Sequence, residues 1–132
     1  MSGVKVIATY RCGDRFDLEL RGHRLVVDQP LGEGGGDQGP TPTELFVASL
    51  AGCVGFFAER FLRRHELAAE ELRVEAVASM SSDRPARIGE INLQLTGLPP
   101  MPAGRRAALR AVVERCTVHN SIRQAPQIRI KL

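Results

Sequence analysis

A stretch of fourteen residues without a charged side chain, residues 45–58, constrains the fold more than any other part of this chain. The sequence TPTE just before it has the pattern of a helix start. Thr41 caps the helix, Pro42 suits the first helical position, and Glu44 closes a capping box. The pattern predicts a helix that runs to about Arg64. Its first half carries apolar or small residues on every face, which is typical of a helix enclosed on all sides.

Apolar and polar residues alternate before this helix in three short segments separated by Gly-containing turns. Such alternation is typical of half-buried strands, so residues 4–11, 16–21 and 25–27 are predicted as a three-stranded antiparallel meander. The Gly-rich loop that follows, residues 31–40, lacks the GK[ST] ending of a phosphate-binding loop. We therefore interpret it as a flexible connector.

The chain after the helix again shows strands followed by a helix. Residues 71–80 and 89–95 alternate like strands, and a Pro-rich stretch then leads into a second helix over about residues 103–115. A short helical segment is predicted at residues 118–123. The closing sequence QIRIKL, residues 127–132, places its apolar residues on one side and is predicted as a last strand.

This order of elements predicts an α+β fold with a largely antiparallel sheet packed on two helices. At 132 residues the chain has the size of one domain, which we expect to span residues 1–132. A single six-stranded sheet has one face to offer, yet residues 45–58 need cover on all sides. We therefore expect an obligate homodimer with the central helices between two sheets.

Composition argues against several classes of partner. One Tyr, five Phe and no Trp give few platforms for stacking bases, and the formal net charge of +3 comes from scattered Arg with acids interleaved. No apolar segment follows a basic cap at the start of the chain, and residues 45–58 are shorter than a bilayer span. We expect a cytoplasmic protein with neither a nucleic acid nor a membrane as partner.

The chain has three cysteines, an odd number that fits free thiols or a transient redox pair better than a structural disulfide framework. Cys53 lies near the middle of the central helix. Cys116 continues the apolar stripe of the second helix, seven residues after Leu109, and marks the helix end. The helix faces that carry Cys53 and Cys116 are both predicted to be buried, so the two thiols can meet. The alternative is simple packing, because a buried free cysteine usually behaves as a small hydrophobe.

A meeting of these thiols suggests a redox reaction in two steps, in which one is oxidised to a sulfenic acid and the other condenses with it to a disulfide. Cys53 is expected to react first, because it is the enclosed residue and Gly52 and Gly55 leave room for a substrate. Cys116, beside a helix end, is expected to move and resolve. Cys12, in an RCGDR turn, is interpreted as an exposed bystander.

Burial alone raises the pKa of a thiol, so a nucleophilic Cys53 needs a positive charge beside it. The apolar stripes contain none, and an arginine must reach in from a loop. We prefer Arg15, at the tip of the first hairpin, to Arg11, Arg24 and Arg123. The alternative for Arg15 is an ordinary solvated turn residue.

A metal site is disfavoured by the spacing of the remaining ligands. Cys116 and His119 form a C-x-x-H pair, but a zinc site needs about four ligands. The other candidates show no matching spacing: His23, His65 and Cys12. His119 is interpreted as opening the mouth of the site to protons, or as a plain polar residue after the helix.

Two stretches, VVDQPLGEGGGDQGPTPTELFVASLAGC and VERCTVHNSI, resemble the OsmC/Ohr family, the osmotically inducible protein C and organic hydroperoxide resistance proteins. The resemblance covers nearly the whole chain and lies in the order of the strand end, Gly-rich loop, helix start and two cysteines. It implies an intertwined homodimer in which each sheet wraps long central helices. It also implies reduction of organic hydroperoxides, with Cys53 as the peroxidatic and Cys116 as the resolving cysteine.

The activating residues match less well. Reductases of this family use an arginine from the N-terminal strands, to which Arg15 is the nearest match, and a glutamate ten residues before the peroxidatic cysteine. That position is Thr43 here, and Glu44 stands nine residues before Cys53, about 100° away on a helix. We therefore expect the broader OsmC-like branch, with Glu44 as a candidate replacement.

These observations favour an enzyme, a thiol peroxidase that reduces organic, lipid-derived hydroperoxides in oxidative-stress defence. It needs no metal, flavin or haem, because the thiolate itself attacks the O–O bond. The resemblance suggests an external dithiol of lipoyl type as reductant. The alternative function is a non-enzymatic redox sensor, or a binder that holds an apolar small ligand in the same dimer cavity.

Overall fold

The computed structural model describes residues 3–132, and its elements follow the predicted order of strands and helices. The strands are β1 (Ile7–Cys12), β2 (Arg15–Leu20), β3 (His23–Val27), β4 (Arg73–Met80) and β5 (Ile88–Thr96). The helices are α1 (Pro42–Arg64), α2 (Ala103–Val113) and α3 (Thr117–Arg123), with a 3-10 turn at Leu31–Glu33. The predicted α+β class is confirmed. The contacts divide the chain into an N-terminal unit that ends at Phe46 and a C-terminal unit, Val47–Leu132, and each is described by itself.

The N-terminal unit contains the predicted antiparallel meander, in the order β1-β2-β3. Tyr10 pairs with Phe16, and Leu18 pairs with Leu25, so these residues share one face. Alternation predicts that this apolar face is the buried one. Instead, Tyr10 is 58% exposed and Leu25 is 45% exposed, while Asp17 of the opposite face is buried. Asp17 can be buried because two ion pairs hold its carboxylate. The apolar face is exposed in the single chain and becomes buried only if another surface packs on it.

The Gly-rich loop is more ordered than the flexible connector expected from its composition. Its anchor is the buried carboxylate of Asp28, which accepts hydrogen bonds from the backbone N–H groups of Gln38 (3.1 Å) and Gln29 (2.8 Å). These hydrogen bonds hold the pKa of Asp28 below its ordinary value. The backbone N–H of Asp28 also donates to the carbonyl of Pro40 at 3.1 Å, which closes the loop at its base.

Helix α1 begins and ends where the sequence predicts. The hydroxyl of Thr41 accepts from the N–H of Glu44 at 3.0 Å, and the carboxylate of Glu44 accepts from the N–H of Thr41 at 2.8 Å, which confirms the capping box. The helix is not enclosed on all sides within one chain, since Phe56 is 53% exposed. By length and composition alone α1 could cross a membrane, with a mean hydropathy of 1.6 over its most apolar window, a test that core helices of soluble proteins also pass.

The C-terminal unit pairs β4 with β5 antiparallel, with Ala76 opposite Leu93. Two apolar clusters hold α1 in this unit. One joins Ala58, Phe61, Leu62 and Leu109, and the other joins Leu50, Val54 and Cys116. Leu95 of β5 packs against both clusters. The face of β5 that bears Leu95 therefore contacts both groups of buried α1 residues.

Two predictions about the sheet are wrong. Residues 127–132 form no strand within the part of the chain described, because the segment has no hydrogen-bonded neighbour; Ile128 is 78% exposed and Ile130 is 83% exposed. In addition, the other strands form a three-stranded sheet in the N-terminal unit and a two-stranded sheet in the C-terminal unit, rather than parts of one sheet of six. The second helix is found where it was predicted, although α2 ends at Val113, two residues before the approximate end expected at residue 115.

Candidate functional site

The two predicted redox cysteines lie together in the C-terminal unit. Cys53 is carried by α1 and packs against the cluster that contains the fully buried Cys116. Cys116, which was predicted to mark the end of the second helix, lies three residues beyond Val113, the last residue of α2, and is the N-cap of α3. The prediction that the two thiols come together agrees with this packing, and the Cys53 thiol is near enough to raise the pKa of Cys116.

Backbone N–H groups in the first turn of α3 point at both sulfur atoms. The N–H of Val118 donates to Sγ of Cys53 at 3.5 Å, and the N–H of His119 donates to Sγ of Cys116 at 3.4 Å. Such donors stabilise negative charge on sulfur, because hydrogen bonds to the charged form favour ionisation. Sequence reasoning missed these donors. Their only signal was the short helix predicted directly after Cys116, because the first N–H groups of a helix lack partners within it.

Cys116 is more buried than Cys53, whereas the sequence predicted Cys53 as the more enclosed of the two thiols. Cys116 is inaccessible to solvent, and Cys53 is half-buried. Burial raises the pKa of Cys116 above its ordinary value, and the neighbouring Cys53 raises it further, against the opposing hydrogen bond from His119. Cys116 therefore keeps its proton at neutral pH, and Cys53 is the more accessible of these two thiols.

The two glycines beside Cys53 have different surroundings. A side chain at Gly52 would meet no atom within 4 Å, so this position leaves open space, as predicted. A Cβ at Gly55 would lie 3.5 Å from the side chain of Val74, so Gly55 lets α1 approach β4 closely. The open side of Cys53 is therefore the side of Gly52.

Arg15 lies in the N-terminal unit and shares a carboxylate with a second arginine. Its Nε donates to Oδ1 of Asp17 at 3.2 Å, and Nε of Arg11 donates to Oδ2 at 2.7 Å. The hydrogen bond from Arg11 is the main cause that lowers the pKa of Asp17, so the carboxylate stays ionised. Arg24, one of the alternatives, instead pairs with Glu19 at 3.1 Å. Sequence reasoning missed Asp17, because alternation assigned it to the solvent side of β2.

The remaining candidates have simpler surroundings. Glu44 is exposed and its carboxylate is engaged in the capping box, in the same unit as Arg15. Thr43, at the position where the resembling reductases have glutamate, is also exposed. Cys12 is exposed, as predicted. Among residues 3–132, no three His, Cys, Asp or Glu side chains are grouped so that they could hold a metal ion.

Comparison with known proteins gives a family match and several similar folds. The family model described as OsmC-like protein matches residues 34–131. No curated protein shows a significant sequence match to the chain. The chain is similar to a solved structure from Psychrobacter arcticus 273-4, described as a putative osmotic stress induced and detoxification response protein. The TM-score is 0.79 and the identity is 23%, over 92% of this chain and 88% of that chain.

Two further solved structures extend the likeness. One is an OsmC-like protein from Mycoplasma pneumoniae, with a TM-score of 0.78 and 17% identity over 94% of this chain and 89% of that chain. The other is the organic hydroperoxide resistance protein OhrB of Bacillus subtilis, with a TM-score of 0.64 and 20% identity over 94% of this chain and 93% of that chain. At these identities the likeness establishes a shared fold.

Proposed function

Because this chain belongs to the OsmC-like protein family, we propose that it is a thiol peroxidase that reduces organic hydroperoxides through Cys53 and Cys116. The observation that carries the proposal is the pair of thiols packed in one apolar cluster, each facing a backbone N–H of α3. Some structures with a similar fold are named organic hydroperoxide resistance proteins. That name supports the choice of substrate class.

The proposed reaction has two steps at sulfur. The Cys53 thiolate attacks the outer oxygen of the hydroperoxide, the O–O bond breaks, and the alkoxide leaves as an alcohol after it takes a proton. Cys53 becomes a sulfenic acid. The Cys116 thiol then condenses with it, which forms the disulfide and releases water. An external dithiol reduces this disulfide and is itself oxidised to a disulfide.

Burial and pKa assign the two roles. A peroxidatic cysteine must be reached by substrate and must carry negative charge, and Cys53 is the more accessible thiol and accepts the N–H of Val118. A resolving cysteine must hold its proton until the sulfenic acid forms, and the pKa of the buried Cys116 is raised. This assignment agrees with the expectation from sequence, although the burial order that supports it is different.

Arg15 is proposed as the cation that activates Cys53. Its Nε is occupied by Asp17, and its terminal guanidinium nitrogens donate to no group among residues 3–132. Those nitrogens are the part of the fork that a thiolate and a peroxide oxygen can use together. In this proposal Asp17 orients the guanidinium of Arg15. Asp17 thereby takes over part of the role of the glutamate that the resembling reductases have at the position of Thr43.

We also propose that the working unit is a homodimer in the cytoplasm. Large apolar side chains are exposed on the first sheet and on α1, among them Phe16, Phe46 and Phe56. Exposed apolar patches of this kind mark surfaces that another protein covers, and a second copy of the chain would provide the cover that α1 lacks. The reductant is proposed to be a dithiol of lipoyl type.

Turnover tests the function. Reduced protein is mixed with cumene hydroperoxide and an excess of dihydrolipoamide, and peroxide consumption is followed over many equivalents. Wild type and Cys12→Ser are expected to turn over, and Cys53→Ser is expected to be inactive. Consumption that stops after one equivalent in the wild type would contradict an enzyme and favour the redox sensor.

A further inference from the structure

A cavity of about 500 Å³ lies between β5 and α2 in the C-terminal unit, on the side of the thiol cluster. Its floor is apolar and includes Val54, Leu93, Leu95 and Leu109. Val54 belongs to the same cluster as Cys116, so the cavity and the thiols share a wall. This volume lies within the range of pockets that bury a small organic ligand.

Charged side chains line the same cavity. Arg106 and Arg110 come from α2, one turn apart, and Glu114 follows on the next turn. Arg110 lies 3.7 Å from the carboxylate of Glu114, an exposed pair that offsets part of its charge. Arg106 forms no ion pair with any residue from 3 to 132, and it is exposed. An apolar floor with one uncompensated guanidinium above it is complementary to an apolar chain that ends in a carboxylate.

We propose that this cavity binds a medium-chain fatty carboxylate, with the chain on the floor and the carboxylate at Arg106. The guanidinium fork matches the two carboxylate oxygens, whereas a neutral head group gains nothing from it. Glu114 lies on the same wall and opposes an anion. The balance of Arg106 and Glu114 therefore sets the affinity for the head group without changing the floor.

The position of His119 links this site to the thiols. His119 lines the cavity, and its backbone N–H donates to the sulfur of Cys116 at 3.4 Å. A bound chain therefore lies against the turn that caps Cys116. Binding is proposed whether or not the protein reduces peroxides, so an experiment without peroxide separates this inference from the proposed function.

The experiment is calorimetric titration of the reduced full-length protein with decanoate and, in parallel, with decanol. Arg106→Gln is expected to weaken decanoate binding by about fivefold and to leave decanol unchanged. Glu114→Gln is expected to strengthen decanoate binding. The matched control is Arg115→Gln, which removes an exposed charge from a residue outside this cavity.

A cavity-filling variant, Ala107→Phe, is expected to abolish binding of both ligands, since Ala107 lines the cavity and is exposed. Circular dichroism confirms that each variant is folded. Wild type that binds neither ligand, or binds decanol as tightly as decanoate, would overturn the proposal. So would equal losses in Arg106→Gln and Arg115→Gln, because a general effect of net charge would then explain the binding.

Discussion

Replacement of Cys116 by alanine tests whether this thiol is a buried group that resists ionisation. The side chain is inaccessible, packs with Leu50 and Val54, and caps α3 by accepting the N–H of His119. Removal of a capping acceptor costs about 1 kcal/mol. A void the size of a methyl group costs about 1 kcal/mol more. Cys116→Ala is therefore expected to lower the free energy of unfolding by about 2 kcal/mol at pH 7.

The loss is expected to shrink as pH rises, because the folded-state pKa of Cys116 is raised. The stability that the thiol contributes is complete below the unfolded pKa of about 8.5 and is lost as pH rises towards the folded pKa. The unfolded chain ionises first in this window, so wild type loses up to about 1.4 kcal/mol per pH unit from this group. The alanine variant lacks that loss.

The assay is urea unfolding at pH 7 and pH 9.5, with reductant present and protein concentration fixed. Cys12→Ala is the matched control, because Cys12 is exposed. Cys116→Ser retains a capping oxygen without a group that titrates in this range, so it is expected to lose less than alanine at pH 7. A difference between wild type and Cys116→Ala that is the same at both pH values would refute the reasoning.

Three further predictions concern reactivity and assembly. Iodoacetamide is expected to modify Cys12 first and Cys116 last, because one is exposed and the other is buried with a raised pKa; the reverse order in peptide mapping would contradict this. Arg15→Ala is expected to slow single-turnover peroxide reduction at Cys53 about tenfold, or about 1.4 kcal/mol, with Arg24→Ala unchanged; equal rates in the two variants would remove the role of Arg15. Sedimentation is expected to show a dimer that separates only on unfolding, and a folded monomer at micromolar concentration would rule this out.

Local signals in the sequence were sufficient for α1. The capping box depends on residues within one turn, so TPTE specified the helix start without knowledge of the rest of the chain. The closing segment, residues 127–132, shows the opposite case. Its alternation is strand-like, but a strand exists only where another strand bonds to it, and none does so within residues 3–132.

Burial was harder to predict than the elements themselves. Alternation predicted that Phe16 is buried and Asp17 exposed. The structure shows Asp17 buried, with ion pairs to Arg11 and Arg15, and Phe16 exposed. Periodicity predicted that Cys116 is buried, which is correct, although α2 ends before it. The sequence indicated a short helix after Cys116, but it did not indicate which N–H groups of that helix would face the two sulfur atoms, since every residue except proline carries the same group.

The most direct test of the central claim is the mass of the protein after one equivalent of cumene hydroperoxide, without added reductant. Wild type is expected to lose two hydrogen atoms, through a disulfide between Cys53 and Cys116 of one chain. Cys116→Ser is expected to gain one oxygen atom on Cys53 instead. A gained oxygen on Cys12, or a main disulfide that includes Cys12, would contradict the assignment of Cys53 as the peroxidatic and Cys116 as the resolving cysteine.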